Sequence, residues 1–164
     1  MFSRESIEFP RGYFFRTSTV HKERIVYARE VDEVNMNTFP ASFVYRGKEV
    51  IFVKPLLSQH LEMFARENGI PIRNRADIWA HISRPFLDAT FTAQEIQQSE
   101  FLLSINGINK QELKAIRRKA AKTFFLNIFY WESVYLGLFD YLSWTYITPK
   151  KYEWAMEIAL RRTY

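Results

Sequence analysis

From Leu113 to Leu142 the chain places Leu113, Ile116, Ala120, Phe124, Ile128, Trp131, Tyr135, Leu138 and Leu142 three or four residues apart. That spacing lines all of them along one side of an α-helix. A seam of about 30 residues makes this helix the spine of the domain, around which the other helices are expected to pack. Before Thr123 the opposite side of this spine is basic; after it, Phe125, Phe129 and Leu136 make that side apolar as well. Such a helix runs from the surface into the core, with Gly137 as its natural bend.

Punctuation residues place the other helices. LLSQHLEMFAREN stops at Asn68-Gly69 with Pro71 behind it. Asn74 is placed to cap a short helix through Ala76 and Asp77 to His81, which Pro85 ends or kinks. Thr92 with Glu95 forms a capping box before AQEIQQSEFLLSI, Asn106-Gly107 closes that helix, and Asn109 with Glu112 opens the spine. Pro149 starts a last helix in which Trp154, Ile158 and Arg161 share a face.

The first third reads differently. GYFFRT, ERIVYARE and ASFVYRGKEVIFVK are rich in β-branched and aromatic residues, with Pro10, Pro40 and Pro55 at their borders. Phe43-Val44-Tyr45 and Val50-Ile51-Phe52-Val53 flank Arg46-Gly47-Lys48-Glu49, a hairpin signal. The fold class expected is therefore α+β. A small antiparallel sheet of three or four strands, with Arg24, Arg29, Arg46 and Lys48 toward water, precedes about five packed helices. Residues 1–55 form the β-rich part and 56–164 the helical part of a single domain, without repeat or dividing linker.

Several function classes fall away on residue types alone. With no cysteine there is no disulfide, thiol nucleophile or thiolate metal site, which fits a cytoplasmic protein. The N-terminal MFSRESIEFP has charges where an export signal needs an apolar run. Residues 123–147 have the length to span a bilayer, but Asn127, Glu132 and Asp140 lie inside them, and each acid there would cost about 2.5–3.5 kcal/mol at the membrane centre. No phosphate loop, dinucleotide fingerprint, serine elbow, zincin motif or Glu-x-x-His is present, and five glycines leave no cradle for a phosphate. No cofactor and no metal are expected.

Charge is the informative remainder. The net charge of +5 is carried by residues 110–122, which hold six cations and one acid. Lys110, Lys114, Arg118 and Lys122 recur every four residues and so form one stripe on the helix that follows Gly107. The most ordinary account of such a stripe is a solvated helix face. The stretch EIQQSEFLLSINGINKQELKAIRRKA also resembles a helix-turn-helix in outline, with Gly107 in the turn. Leu103 stands where that motif needs a small residue and Asn106 where it has an apolar one. A stripe that contacts phosphates without reading sequence fits the pattern better.

Two other constellations carry chemistry. Asp77 and His81 stand four apart, the spacing at which a carboxylate orients an imidazole, although a helix cap accounts for Asp77 more simply. His21 and His60 have no such neighbour. Trp131, Glu132, Tyr135, Asp140 and Trp144 would line an aromatic pocket if one exists, with Glu132 or Asp140 raised in pKa as a general acid. The structural account of these acids is a strip reaching water, or ion pairs with Arg73, Arg75 or Arg84. The expectation is thus a non-enzymatic cytoplasmic binding protein whose basic helix face meets a nucleic-acid backbone or an acidic protein partner. The alternative is an enzyme or small-ligand binder built on the aromatic pocket. No membrane partner is expected, and exposed aromatics leave room for a homo-oligomer.

Overall fold

A computed structural model describes residues 1–87, 91–127, 135–144 and 146–161, with the backbone alone at 125–127. In chain order its elements are β1 (Ser6–Glu8), α1 (Thr19–Glu23), β2 (Ile25–Tyr27), β3 (Val31–Asn35), β4 (Ser42–Tyr45), β5 (Glu49–Phe52), α2 (Ser58–Glu67) and β6 (Ile72–Arg73). They continue with α3 (Ile78–Ser83), α4 (Ala93–Ile105), α5 (Lys110–Asn127), α6 (Leu138–Trp144) and α7 (Pro149–Ala159). The class is α+β. The elements gather into two compact units, Met1–Ala76 with Ile147–Leu160, and Asp77–Tyr146 with Arg161–Tyr164.

In the first unit β1 and β2 form a two-stranded antiparallel ribbon, and a separate four-stranded sheet has the order β5-β4-β3-β6. The sequence suggested one antiparallel sheet; instead β6 joins the second sheet as a parallel edge, Val34 opposite Ile72. GYFFRT is not a strand. Tyr13 and Phe15 are buried while Phe14 is exposed, and the Tyr13 hydroxyl accepts the Phe52 N–H at 2.9 Å. VDEVN, which carries two acids, is the strand that takes its place, because Glu33 finds Arg75 at 2.7 Å and can be buried.

The hairpin between β4 and β5 forms as the residues indicate. Arg46 and Gly47 both take positive φ, 50° and 62°, as a tight primed turn requires. A non-glycine residue holds that conformation here because Arg46 is clamped to Glu30 at 2.6 Å and Glu23 at 3.0 Å. The Gly47 N–H donates to Asp32 at 2.6 Å, which braces the turn from β3. Arg24, Arg29, Arg46 and Lys48 all face water, as expected. Every position of β4 and of the edge strand β5 is buried, so both faces of this half of the sheet are covered. α2 buries Leu61, Phe64 and Ala65, and α7 brings Tyr152, Ala155, Met156 and Ile158 to this unit.

One buried polar cluster ties these pieces together. Glu49 accepts the Ser18 hydroxyl at 2.6 Å, the Tyr152 hydroxyl at 2.9 Å and the Thr19 N–H at 3.1 Å. Ser18 is also the N-cap of α1, accepting from the Val20 N–H. The N-terminal segment, β5 and α7 therefore meet on a single carboxylate.

The second unit is helical. Asp77, not Asn74, is the N-cap of α3, its carboxylate accepting the Trp79 N–H at 2.9 Å. Asn74 directly follows β6 and lies four residues before the first helical residue, so its side chain is out of place for the cap. The Thr92–Glu95 box opens α4, Gly107 turns the chain at φ 76°, and Asn109 accepts the Glu112 N–H to start α5. Leu113, Ile116, Ala120 and Phe124 are buried along α5. The spine is not one helix over its 30 residues, because Tyr135–Gly137 are non-helical and Leu138 begins α6. The seam residues Ile128 and Trp131 lie outside the described residues. The core is aromatic: Trp79 stacks on Tyr141 at 4.2 Å, and Phe124 sits between Phe86 at 5.1 Å and Tyr141 at 5.8 Å. Among the described residues six α-helices follow residue 56, in keeping with the expected set of about five, and α1 adds one within the β-rich part.

Candidate functional site

The local chemistry of α5 gives it two unlike sides. Its buried side has the period of the seam. Its exposed positions are Lys110, Gln111, Lys114, Ala115, Arg118, Lys119 and Lys122, five cations and no acid. The four residues of the stripe are thus all outward, and Lys119 joins them from the neighbouring position. Lys119 was missed because a four-residue period follows one line along the helix, whereas an exposed face is two positions wide. Among the described residues, Lys114, Arg118 and Lys122 make no ion pair, and Lys110 meets Glu100 only at 3.8 Å.

Two charges of the same stretch are used structurally. Glu112 faces Arg161 at 2.6 Å, and that hydrogen bond holds its carboxyl below the usual range. Arg117 is half-buried and donates Nε–H to the Ile82 carbonyl at 3.0 Å, satisfying an orphan carbonyl at the end of α3. Burial pulls its pKa down.

Beside the basic face, α4 and the start of α5 enclose a surface groove of about 260 Å³. Its lining combines the buried Ile108 and Leu113 with the exposed Phe101, Gln97, Ser104 and Lys110 and the half-buried Glu100. Phe101 is 66% exposed and has no ring neighbour among the described residues. Ile96 and Ile105 on the same helix are also exposed. In the sequence α4 shows apolar residues on every side, so periodicity could not say that Leu103 is buried and Phe101 open.

The other sequence candidates are placed as follows. Trp131 and Glu132 lie outside the described residues. Tyr135 donates its hydroxyl to Asp77 at 2.9 Å, and the Leu138 N–H reaches the same oxygen at 3.0 Å. Asp140 accepts the Gly137 N–H at 2.8 Å, three residues before it at the start of α6, which is the reciprocal half of a capping box. Asp140 is half-buried, and among the described residues it makes no ion pair with an arginine. Arg75 is on Glu33, and Arg84 donates to the Glu95 carbonyl and covers the Phe91 ring. Burial pushes Asp77 and Asp140 above the usual carboxylate range, and the Asp77 charge adds to the effect on Asp140. Trp144 packs edge-on against Phe124 at 6.5 Å as part of the core.

His81 does not meet Asp77 as a pair. Its Nδ1 lies 2.9 Å from the Ser99 hydroxyl, and burial with the Arg84 charge lowers its pKa. Ser99 is 3% exposed, so no substrate carbonyl could reach its oxygen. Among the described residues no group of His, Asp or Glu could hold a metal ion, and no helix is long and apolar enough to cross a membrane. No family model matches the chain, and comparison with curated proteins and with solved structures returns no match.

Proposed function

We propose that this chain is a cytoplasmic binding protein, not an enzyme, that holds the phosphate backbone of a nucleic acid against the exposed face of α5. The observation that carries the reading is a face of five cations without an acid, three of them unpaired among the described residues. Solubility alone would be served as well by a face that mixes both signs. Here Lys110–Lys114, Lys114–Arg118 and Arg118–Lys122 are like charges four apart on one helix, each pair costing about 0.2–0.5 kcal/mol of helix stability. A polyanion laid along the face converts that repulsion into attraction and releases its own counterions. Lys and Arg at these positions reach about 18 Å along the helix axis at 1.5 Å per residue.

An acidic protein surface is the nearest competitor for the same face. The pocket reading around Tyr135, Asp140 and Trp144 has weaker support, because Tyr135 and Asp140 are already committed to hydrogen bonds that build the start of α6. The test is fluorescence anisotropy of labelled single- and double-stranded DNA and RNA at about 50 mM salt, where phosphate contacts are strong. The Lys114→Ala, Arg118→Ala, Lys122→Ala triple variant, altered only at exposed positions, should lose the binding that the wild-type chain shows. Wild-type protein that binds none of the four, or a triple variant that binds equally well, overturns the reading.

A further inference from the structure

We infer that the groove between α4 and α5 seats an unpaired base of a single-stranded nucleic acid, stacked on Phe101, while the cations of α5 hold the neighbouring phosphates. The inference rests on the phosphate-contact reading of α5 and adds the chemical class of the ligand. Its starting point is the composition of the groove. A nucleobase has an apolar face and a polar edge, and a protein that grips one unpaired base supplies an aromatic surface for the first and donors and acceptors for the second.

The groove offers both. The lining holds the exposed Phe101 ring beside the buried Ile108 and Leu113, and Gln97, Glu100 and Ser104 add an amide, a carboxylate and a hydroxyl. The Ser104 hydroxyl donates to the Phe101 carbonyl at 2.8 Å, which leaves its oxygen as an acceptor. Glu100 would repel a phosphate, and the exposed Lys110 at 3.8 Å offsets that repulsion only in part. At that position a carboxylate accepts from an exocyclic amino group, as on cytosine, and selects against bases that lack one. Lys110 belongs to both the groove and the cationic face, so a base seated in the groove has its phosphate at the start of the row of cations.

The alternative occupant is an apolar side chain of an acidic peptide. It would satisfy Phe101, Ile108 and Leu113 but would cover the Gln97 amide at a desolvation cost with no return, and its acids would meet Glu100 as like charges. A duplex has its bases stacked and paired, so it can use the α5 face but not the groove.

The experiment compares four labelled probes: a mixed-sequence single-stranded 12-mer, its duplex, the same strand with abasic residues throughout, and an acidic peptide containing leucine. Wild-type protein should bind the single strand about ten-fold more tightly than the abasic strand, a stacking contribution of the ordinary size for one base. Phe101→Ala should lower single-strand affinity to the abasic level and leave the abasic strand and the duplex unchanged, and Phe101→Trp should restore it. Because Phe101 is exposed, the variants are expected to keep the wild-type melting temperature, and that check accompanies the titrations.

If Phe101→Ala leaves single-strand binding unchanged while the triple α5 variant abolishes it, the groove assignment is wrong and the phosphate face stands. Tighter binding of the peptide than of any oligonucleotide, weakened by Phe101→Ala, replaces the base with a protein partner. A wild-type chain that binds no oligonucleotide overturns both the groove assignment and the reading beneath it.

Discussion

Replacing Glu49 by glutamine keeps the shape of the side chain and removes only its charge and one acceptor. In the native unit one oxygen accepts from Ser18 and Tyr152 and the other from the Thr19 N–H. Turned toward the Thr19 N–H, the NH2 of an amide faces a group that can only donate; turned the other way, it meets the Ser18 and Tyr152 hydroxyls, which can accept from it only by giving up the bonds they donate. Either orientation loses at least one buried hydrogen bond, which costs about 1–3 kcal/mol, and the remaining bonds lose their charge assistance. We expect a total loss of about 2–4 kcal/mol. With a urea m-value near 2 kcal/mol per M, the unfolding midpoint should fall by about 1–2 M. Tyr152→Phe removes one donor while the carboxylate keeps two, so it should cost less, about 1–2 kcal/mol. The double variant should be less destabilised than the sum, since the two changes break a shared bond. Urea titrations read by far-ultraviolet circular dichroism at unchanged m would check all three. A Glu49→Gln protein as stable as wild type, or more stable, would refute the reasoning; it would mean that desolvating the acid outweighs its three bonds.

Two further perturbations test the second unit. A Cβ at Gly137 would collide with the Asp77 carboxylate and the Tyr135 ring, both held by hydrogen bonds, so Gly137→Ala should lower stability by about 1–3 kcal/mol in the same titration. The pKa of His81 is held below its ordinary value, so the folded chain keeps the ring neutral while the unfolded chain takes a proton near pH 6.5. Stability from this group is complete above about pH 6.5 and is lost as the pH falls toward the lowered folded value. Melting temperatures between pH 7.5 and 5 should therefore drop more for wild type than for His81→Asn; equal slopes would remove His81 from the account.

Much of the helical unit was legible because its boundaries are written in local chemistry. Thr92 with Glu95, Asn106-Gly107 and Asn109 act over three or four residues, and the structure uses each as the sequence indicates. What was illegible depends on partners distant in the chain. VDEVN looks too acidic for a buried strand until Arg75 is placed beside Glu33, forty-two residues away. β6 has two residues and no periodicity of its own. The break between α5 and α6 was hidden because Tyr135 and Leu138 keep the helical spacing, although the first leaves the helix to bond Asp77. At the candidate site the stripe could be read from a period of four, but the groove needs the α4–α5 turn, and Phe101 differs from its apolar neighbours only in which way it points.

The phosphate-contact reading of α5 has one most direct test, the salt dependence of single-strand affinity. If Lys114, Arg118 and Lys122 each neutralise one phosphate, log K should fall against log salt with a slope about 2 steeper in the wild-type chain than in the triple α5 variant, which makes the wild-type loss about 20-fold greater between about 50 and 200 mM. The triple α5 variant should also bind more weakly at low salt. A wild-type slope near zero, or the same slope in both proteins, would contradict the account.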